Sequence, residues 1–296
     1  MKNCTFLSSL FIILLSHTSF AQTNLKVVTK TVEKAFDYQE GQTLLLEGEK
    51  AEIKLETWSE NKVYVQLELV AKHPERRQAE NDLESFDFVF DVRGDKILLR
   101  NFYVGESRSE SELSAVYTVK VPTECPVQMS NYFGKTDVQD LTNSLELDSK
   151  FGPVNMSNIS GEVDVSSRFG DIFGMLLKGQ IKIESHRSNV TLKQLEGKFD
   201  INSKYGVIKI FADDKLIDLN VEGEKSDLYL FNPDPSEFGY DLLAHFGDIT
   251  VPDDLKINFV EKSKNMSHAV RKQGEQFPGV FVKITYGDII VKKARP

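Results

Sequence analysis

The sequence predicts an all-β fold: a parallel β-solenoid with 18-residue coils, preceded by an N-terminal β-rich capping module. A four-residue motif, small-x-aromatic-Gly, recurs at a spacing of 18 residues. Apolar and polar side chains alternate before and after each motif, and further glycines close several repeats. Fixed internal repeats of this length are typical of solenoids, in which each unit buries its apolar face only against its neighbours.

The first 21 residues have the pattern of a secretory signal peptide. Lys2 supplies a positive charge, residues 6–15 are mostly apolar, and residues 19–21 form a small-x-small cleavage site. We expect cleavage near Ala21 and export to the periplasm, the cell surface or the extracellular space. No later apolar run approaches the roughly 20 residues that a membrane helix needs, so no transmembrane segment is expected and the mature protein should be soluble.

Charge and cysteine content narrow the function classes. The chain has a net charge of −9, which becomes −10 when Lys2 is removed with the leader. A chain this acidic is a poor partner for nucleic acid. Cys4 also leaves with the leader, so Cys125 is the single cysteine of the mature chain. It can form neither an internal disulfide nor a thiolate metal cluster.

Residues 22–126 lack the repeat and read as a β-rich module. Alternating runs at 43–46, 52–57 and 63–70 are followed by an amphipathic helix from residue 74 to about 83. Further runs at 86–92, 96–102 and 115–121 complete the set. Short strands separated by turns are typical of antiparallel structure. Because the open end of a stack must be covered, we expect this module to cap the N-terminal end of the solenoid.

Residues 127–296 contain the solenoid repeats. Alternation with a period of two predicts strands with one face inward, and equivalent strands of successive coils should pair in parallel about 4.8 Å apart. A segment at 252–279 interrupts the repeats, either covering a flank of the last coils or hanging free. The first inward positions are Val127, Leu145, Val163, Ile181, Phe199, Ile217, Tyr240 and Val280.

The aromatic-Gly pairs of the motif are predicted to form structural corners. By strand parity the rings fall on the inward side, which favours corner packing over a platform for stacking sugars. Glycine suits a corner because it adopts positive φ freely. The pairs are Phe133-Gly134, Phe151-Gly152, Phe169-Gly170, Tyr205-Gly206, Phe246-Gly247 and Tyr286-Gly287.

A column of cations precedes the rings and should face outward. It consists of Lys150, Arg168, His186 and Lys204, with His245 in a later copy. Cations repeated about every 4.8 Å would attract a linear polyanion such as an acidic polysaccharide. The alternative is a solvated stripe that neighbouring acids balance.

Catalytic and metal sites are not predicted. Asp171, Asp248 and Asp288 each follow a corner glycine. If the last two copies stack directly, Asp248 and Asp288 lie about 5 Å apart, a separation found between the carboxylates of retaining glycosidases. Asp after Gly is also ordinary turn chemistry, and the histidines are too scattered to share a metal ion. We therefore expect no catalytic residue, no metal and no cofactor.

The repeated Ser-x-Phe-Gly and Phe-Gly-Asp-Ile elements at 167–172, 246–249 and 286–289, with the entry strand at 116–122, resemble the bacterial adhesin-like β-solenoid family over about residues 40–292. The resemblance implies the solenoid fold, interaction at the cell envelope or surface, and no catalytic residues. The segment 252–279 departs from the regular family pattern.

Together these observations predict a non-enzymatic exported scaffold that presents a rigid surface to a polysaccharide or to an envelope protein. Two alternatives remain open from the sequence. One is a polysaccharide lyase or hydrolase on a parallel β-helix. The other is an envelope signalling partner that docks through 252–279.

Overall fold

The computed structural model describes residues 24–105, 108–212, 214–272 and 279–294. The predicted signal peptide and its cleavage site lie outside the described residues. The strands of the described part pair into one continuous sheet, which folds at its corners around an apolar core. No helix in these ranges is long and apolar enough to cross a membrane.

The N-terminal segment contains the strands that the alternating runs predict, plus one more at its start. A helix, α1 (Arg76–Glu84), lies between the fourth and fifth strands. The strands are β1 (Lys26–Asp37), β2 (Thr43–Glu49), β3 (Ala51–Trp58), β4 (Lys62–His73), β5 (Phe86–Arg93), β6 (Lys96–Tyr103) and β7 (Glu112–Pro122).

The repeats form the remaining strands, with one short 3-10 helix at Pro235–Glu237. The regular coils hold β8 (Val127–Tyr132), β9 (Thr136–Gln139), β10 (Leu145–Lys150), β11 (Val154–Arg168), β12 (Ile172–His186), β13 (Val190–Lys204) and β14 (Val207–Phe211). After them come β15 (Leu216–Glu224), β16 (Asp227–Asn232), β17 (Gly239–His245), β18 (Ile249–Thr250), β19 (Asn258–Lys262), β20 (Met266–Arg271), β21 (Gly279–Thr285) and β22 (Ile289–Lys293).

Each coil contributes to two faces. Face A contains the strands that lead into the aromatic-Gly corner, and face B contains the strands that follow it. Strands β11, β12 and β13 bend at the opposite corner and serve both faces. In the regular coils the register is the predicted 18 residues: Leu145 pairs with Val163 and Val163 with Ile181, while Val154 pairs with Ile172 on face B. The parallel β-solenoid is confirmed.

Parallel stacking does not start at residue 127. Strand β2 pairs in parallel with β8 on one side and β6 on the other, and β3 does the same with β9 and β7. In the N-terminal segment, antiparallel pairing is confined to the outermost strands, β1 with β4, β4 with β7 and β5 with β6. Ten parallel strands therefore stack on each face within the described residues, and nine gaps of about 4.8 Å make a stack of roughly 43 Å.

The prediction that Ile217 is an inward position is wrong. Phe199 pairs with Leu219, and Ile217 lies at an irregularity in the register with 54% of its surface exposed. The spacing between equivalent residues lengthens here from 18 to 20, as in the pair Phe211 and Phe231. Two extra residues preserve alternation, so the column appears intact in the sequence although its inward members are Leu219 and Val221.

The last coil along the chain is not the last coil in the stack. Strand β21 pairs with β15 and with β17, and β22 pairs with β16 and with β18. The described part of the insertion forms a hairpin, β19–β20, whose second strand pairs antiparallel with β17. The described part of residues 252–279 therefore does not hang free: it lies along β17, the last strand of the stack on face A.

Candidate functional site

The rings of the aromatic-Gly corners point outward, which corrects the prediction that they face inward. The aromatic residue itself takes the left-handed conformation, with φ of 61° at Phe133, 59° at Phe151 and 61° at Phe169. Strand parity assumes extended backbone, and one left-handed residue resets it. The six rings consequently lie 42% to 57% exposed.

The corner glycine is required by close approach between coils and not by positive φ. A Cβ on Gly152 would collide with the carbonyl oxygen of Gly134, and one on Gly170 would collide with that of Gly152. The buried Ser167 Oγ donates a hydrogen bond to the Gly170 carbonyl oxygen at 2.7 Å. The motif therefore assigns a core hydrogen bond to the small residue, the turn to the aromatic residue and the close contact to glycine.

The rings stack in single file along one edge of the solenoid. Phe133, Phe151 and Phe169 have ring centroids 4.8 and 4.9 Å apart and planes within 4° of parallel. Coils that lack an aromatic residue place a cation in the same left-handed position. The backbone N–H of each member donates to the carbonyl oxygen of the residue just before the next member, and these hydrogen bonds set the order of the column. We call this column the ladder: Lys50, Phe133, Phe151, Phe169, Arg187, Tyr205, Lys225, Tyr286 and Phe246.

The cations of the ladder cap the ring stacks. The Arg187 guanidinium carbon lies 5.7 Å from the Phe169 ring centre and 5.6 Å from that of Tyr205. Lys225 Nζ lies 5.0 Å from the Tyr205 ring centre. Stacked rings cover one another's faces and expose their edges, which carry partial positive charge. The ladder thus offers solvent a positive edge and no free ring face within the Phe133–Phe151–Phe169 stack.

The predicted basic stripe lies beside the ladder in one file. Lys150 pairs in register with Arg168, Arg168 with His186, and His186 with Lys204. The His186 ring stands edge-on to Phe169 at 6.0 Å and to Tyr205 at 5.7 Å. A surface depression of about 430 Å³ is lined by Arg168, His186 and Lys204 together with Phe169. His245 lies in the same file but is separated from Lys204 by Glu224 and Thr285.

Neighbouring carboxylates neutralise part of the positive charge of the basic stripe. Lys150 Nζ lies 3.5 Å from an Asp148 carboxylate oxygen and donates to the Tyr132 hydroxyl at 3.2 Å. The hydrogen bond that Lys150 donates to Tyr132 and the charge of Asp148 raise the pKa of Lys150. Lys204 lies 3.5 Å from Glu224, whereas Arg168 and His186 make no ion pair within the described residues. The positive charge of the stripe that no acid balances is therefore that of Arg168.

The aspartates after the corner glycines hold backbone groups of neighbouring coils. Asp288 Oδ1 accepts a hydrogen bond from the Asp248 backbone nitrogen at 2.8 Å, and Asp171 Oδ1 accepts one from the Asn189 nitrogen at 2.8 Å. Asp248 and Asp288 do stack directly, as the repeat suggested. Their observed contacts are those of turn residues, and no cluster of potential metal ligands is found among the described residues.

A second surface, on face B, was missed by the sequence reading. Its outward positions hold aromatic and basic side chains in two adjacent columns. The Phe211 and Phe231 rings stack at 4.6 Å, Lys193 Nζ lies 5.1 Å above the Phe211 ring, and Lys292 Nζ lies 5.6 Å from the Tyr229 ring. We call this surface the face B strip: Phe173, Met175, Thr191, Lys193, Lys209, Phe211, Tyr229, Phe231, Ile290 and Lys292.

The sequence analysis missed the face B strip because it aligned only the inward positions of the strand that follows each aromatic-Gly corner. Aligning the outward positions in the same way would have placed Phe173 and Tyr229 in one column and Phe211 and Phe231 in the next. Across the part of the chain that the structure describes, no carboxylate lies within 4.0 Å of the Lys193, Lys209 or Lys292 ammonium groups. The strip therefore carries uncompensated positive charge on an acidic protein.

Comparison with known proteins gives a family match over most of the chain. The family described as Toastrack DUF4097 matches residues 42–292. No curated protein matches.

Solved structures give weaker similarities. A candidate adhesin from Bacteroides fragilis is 12% identical, with 89% of this chain and 97% of that chain covered and a TM-score of 0.49. A candidate adhesin from Parabacteroides distasonis is 10% identical, with 90% and 97% covered and a TM-score of 0.43. A candidate cell adhesion protein from Clostridium sporogenes is 13% identical, with 92% and 100% covered and a TM-score of 0.24.

Proposed function

The chain belongs to the Toastrack DUF4097 family, and from that premise and the geometry above we propose that it is an exported, non-enzymatic, adhesin-like scaffold. Residues 1–21 direct export, residues 22–126 supply the first strands of the stack and the cap over its N-terminal end, and residues 127–296 present the binding surface. The ligand is a linear anionic polymer, such as an acidic polysaccharide of the cell envelope, which lies along the edge formed by the basic stripe and the ladder.

One observation carries this proposal: Lys150, Arg168, His186 and Lys204 repeat at the spacing of the coils beside exposed ring edges. A linear polyanion can contact several such groups at once without bending, because the solenoid holds them in a straight row. Arg187 adds a guanidinium fixed between two rings. Its charge faces the same edge with little side-chain entropy left to lose on binding.

Charge reversal tests the proposal. The triple variant Lys150→Glu, Arg168→Glu, Lys204→Glu should lose retention on an immobilised anionic glycan, and wild-type retention should weaken with added salt. The matched control is Lys26→Glu, Lys30→Glu, Lys34→Glu on β1, which makes the same change in net charge outside the stripe, on the outermost strand at the N-terminal end of the stack. Equal retention of both variants and the wild type would overturn the proposal.

A second candidate is docking of an envelope protein at the hairpin. Within the described residues β19 pairs only with β20, and Val260 on β19 is 60% exposed. An unpaired edge of this kind can accept a strand from a partner. A Val260→Pro variant that keeps the unfolding temperature but loses capture of an envelope protein would favour this candidate. Capture unchanged by Val260→Pro would exclude it.

A further inference from the structure

We propose that the face B strip of one copy docks against the outer surface of face A on a second copy, so that the chain associates side by side with itself. This interface is separate from the edge proposed to bind anionic polymers. It involves the two broad faces, whereas the stripe and the ladder lie along the corner between them.

The strip has the composition of a contact surface. Its ten side chains include four aromatic rings, two aliphatic side chains and three lysines, and no carboxylate. Lys193 and Lys292 are held over aromatic rings. The neighbouring corner aspartates Asp171, Asp227 and Asp288 already accept backbone hydrogen bonds. The lysine charges are thus left to pair with a partner.

Face A carries the complementary charge. In the described ranges no cation lies within 4.0 Å of the carboxylates of Glu146, Glu162 or Asp200. Glu162 and Asp200 line a shallow groove of about 530 Å³ that crosses the outer surface of face A. Lys182, also in this groove, is paired with Asp164 at 3.3 Å and Glu184 at 2.9 Å.

The charges on the two faces occur in the same order of coils. On face B, residues 190, 208, 228 and 289 stack in succession, which puts Lys193 in the first row, Lys209 in the second and Lys292 in the fourth. On face A, residues 145, 163, 181 and 199 stack in succession. They put Glu146 in the first row, Glu162 in the second and Asp200 in the fourth.

The third row of face B and the third row of face A also carry complementary groups. The row holds Tyr229 and Phe231 on face B and Lys182 on face A, a pairing suited to cation–π contact. Because both surfaces belong to the same solenoid, their rows share one spacing of about 4.8 Å, and sheets pack face to face at about 10 Å. Two copies with parallel axes, staggered by about two and a half coils, bring all four rows together.

The proposed contact joins two different surfaces of the chain. Faces A and B are different surfaces on opposite sides of the molecule, so the contact is heterologous and does not close into a two-fold dimer. Each copy keeps one free strip and one free groove, and association extends as an open row. Four rows make a small interface, and small interfaces are weak, so association should appear only at high protein concentration.

Sedimentation velocity on residues 22–296 tests the inference. The weight-average sedimentation coefficient of the wild type should rise with protein concentration at low salt and fall back as salt screens the contact. Lys193→Glu, Lys209→Glu, Lys292→Glu should abolish the rise. Glu146→Lys, Glu162→Lys, Asp200→Lys should abolish it independently. A mixture of the two reversed variants should associate again, because the charges are exchanged between the faces.

The β1 triple variant with Lys26, Lys30 and Lys34 changed to Glu is the control, and its sedimentation should match that of the wild type. The inference is overturned if the wild type stays monomeric up to roughly millimolar concentration, or if the folded charge-exchanged mixture does not associate. It is also overturned if the strip variant keeps self-association and loses glycan retention, since the strip would then belong to polymer binding. Failure of this inference does not affect the glycan-retention test of the proposed function, which uses the triple variant at Lys150, Arg168 and Lys204.

Discussion

The two corners of each coil turn the chain by different means. At the aromatic corner the ring-bearing residue takes positive φ, while glycine takes the close contact with the next coil. The opposite corner has two left-handed residues: Leu176, with φ of 57°, and Gly179, which combines φ of 120° with a close contact, since a Cβ on it would collide with the Gly161 carbonyl oxygen. Where turning and close approach are assigned to separate residues, one position is free to carry an exposed side chain. The ladder occupies that position.

The largest effect should come from filling the close contact at the aromatic corner. Gly170→Ala places a methyl group against the Gly152 carbonyl and forces two coils apart, so a loss of about 3 kcal/mol or more in the free energy of unfolding is expected. The control is Gly94→Ala, where φ is 63° and nothing lies within 4 Å. It should lose only about 1 kcal/mol. Denaturant titration measures both, and equal losses would contradict the assignment.

Removing a ring from the ladder should have an intermediate effect. Phe151 stacks on Phe133 and on Phe169, so Phe151→Ala should lower the free energy of unfolding by about 1–2 kcal/mol. Phe246 stacks on one ring, Tyr286, at 5.0 Å, and Phe246→Ala should lose about half as much. A loss at Phe246 as large as that at Phe151 would indicate that stacking does not stabilise the ladder.

The buried serine of the aromatic corner should contribute less. Ser167→Ala removes the donor to the Gly170 carbonyl oxygen and should lower the free energy of unfolding by about 1 kcal/mol. Its neighbour Ser166 points away from the core, and Ser166→Ala should stay within about 0.5 kcal/mol of the wild type. Thermal and chemical unfolding of the pair would check the difference. Equal free energies of unfolding for the two variants would show that the Ser167 hydrogen bond does not stabilise the corner.

At the opposite corner one substitution should stabilise the protein. Leu176 has φ of 57° and is 45% exposed, and an ordinary L-residue in this region is unfavourable by about 1–2 kcal/mol. Asn tolerates it better, and Asn158 occupies the equivalent position one coil before. Leu176→Asn should therefore gain about 0.5–1 kcal/mol. A lower free energy of unfolding than the wild type would show that the exposed leucine makes a favourable contact.

The repeat made much of the fold predictable. A period of 18 residues fixes which side chains lie above one another, so the parallel register, the inward columns of the regular coils and the alignment of Lys150 with Arg168, His186 and Lys204 all follow from counting. The direction of the rings did not follow, because a single left-handed residue reverses parity and the sequence pattern does not mark it. The sequence likewise did not show that Phe151 makes the turn while Gly152 makes the close contact between coils.

The repeat also does not predict the order in which the coils stack in space. The copy at 280 has the same columns as the others, and nothing in its sequence shows that it lies between the coils at 216–232 and 239–250. The shift at Ile217 escaped detection because two inserted residues leave alternation unchanged. Four of the five strands that form the face B strip follow one another in chain order and could be aligned by counting, whereas the position of β22, with Ile290 and Lys292, is known only once the coils are stacked.

The position of β21 and β22 between earlier coils also sets an order of assembly. The coils from 127 to 211 can add one by one as the chain emerges, each closing a loop of 18 residues. The coil at 239–250 can pair with the hairpin strand β20, but it has no parallel neighbour until residues 279–293 arrive, and the contact between Asp227 and Asp288 spans 61 residues. Longer closures are entropically less favourable and slower. The last two coils should thus form together in a single late step, and a pause in synthesis before residue 279 would leave β15 and β16 as temporarily open edges.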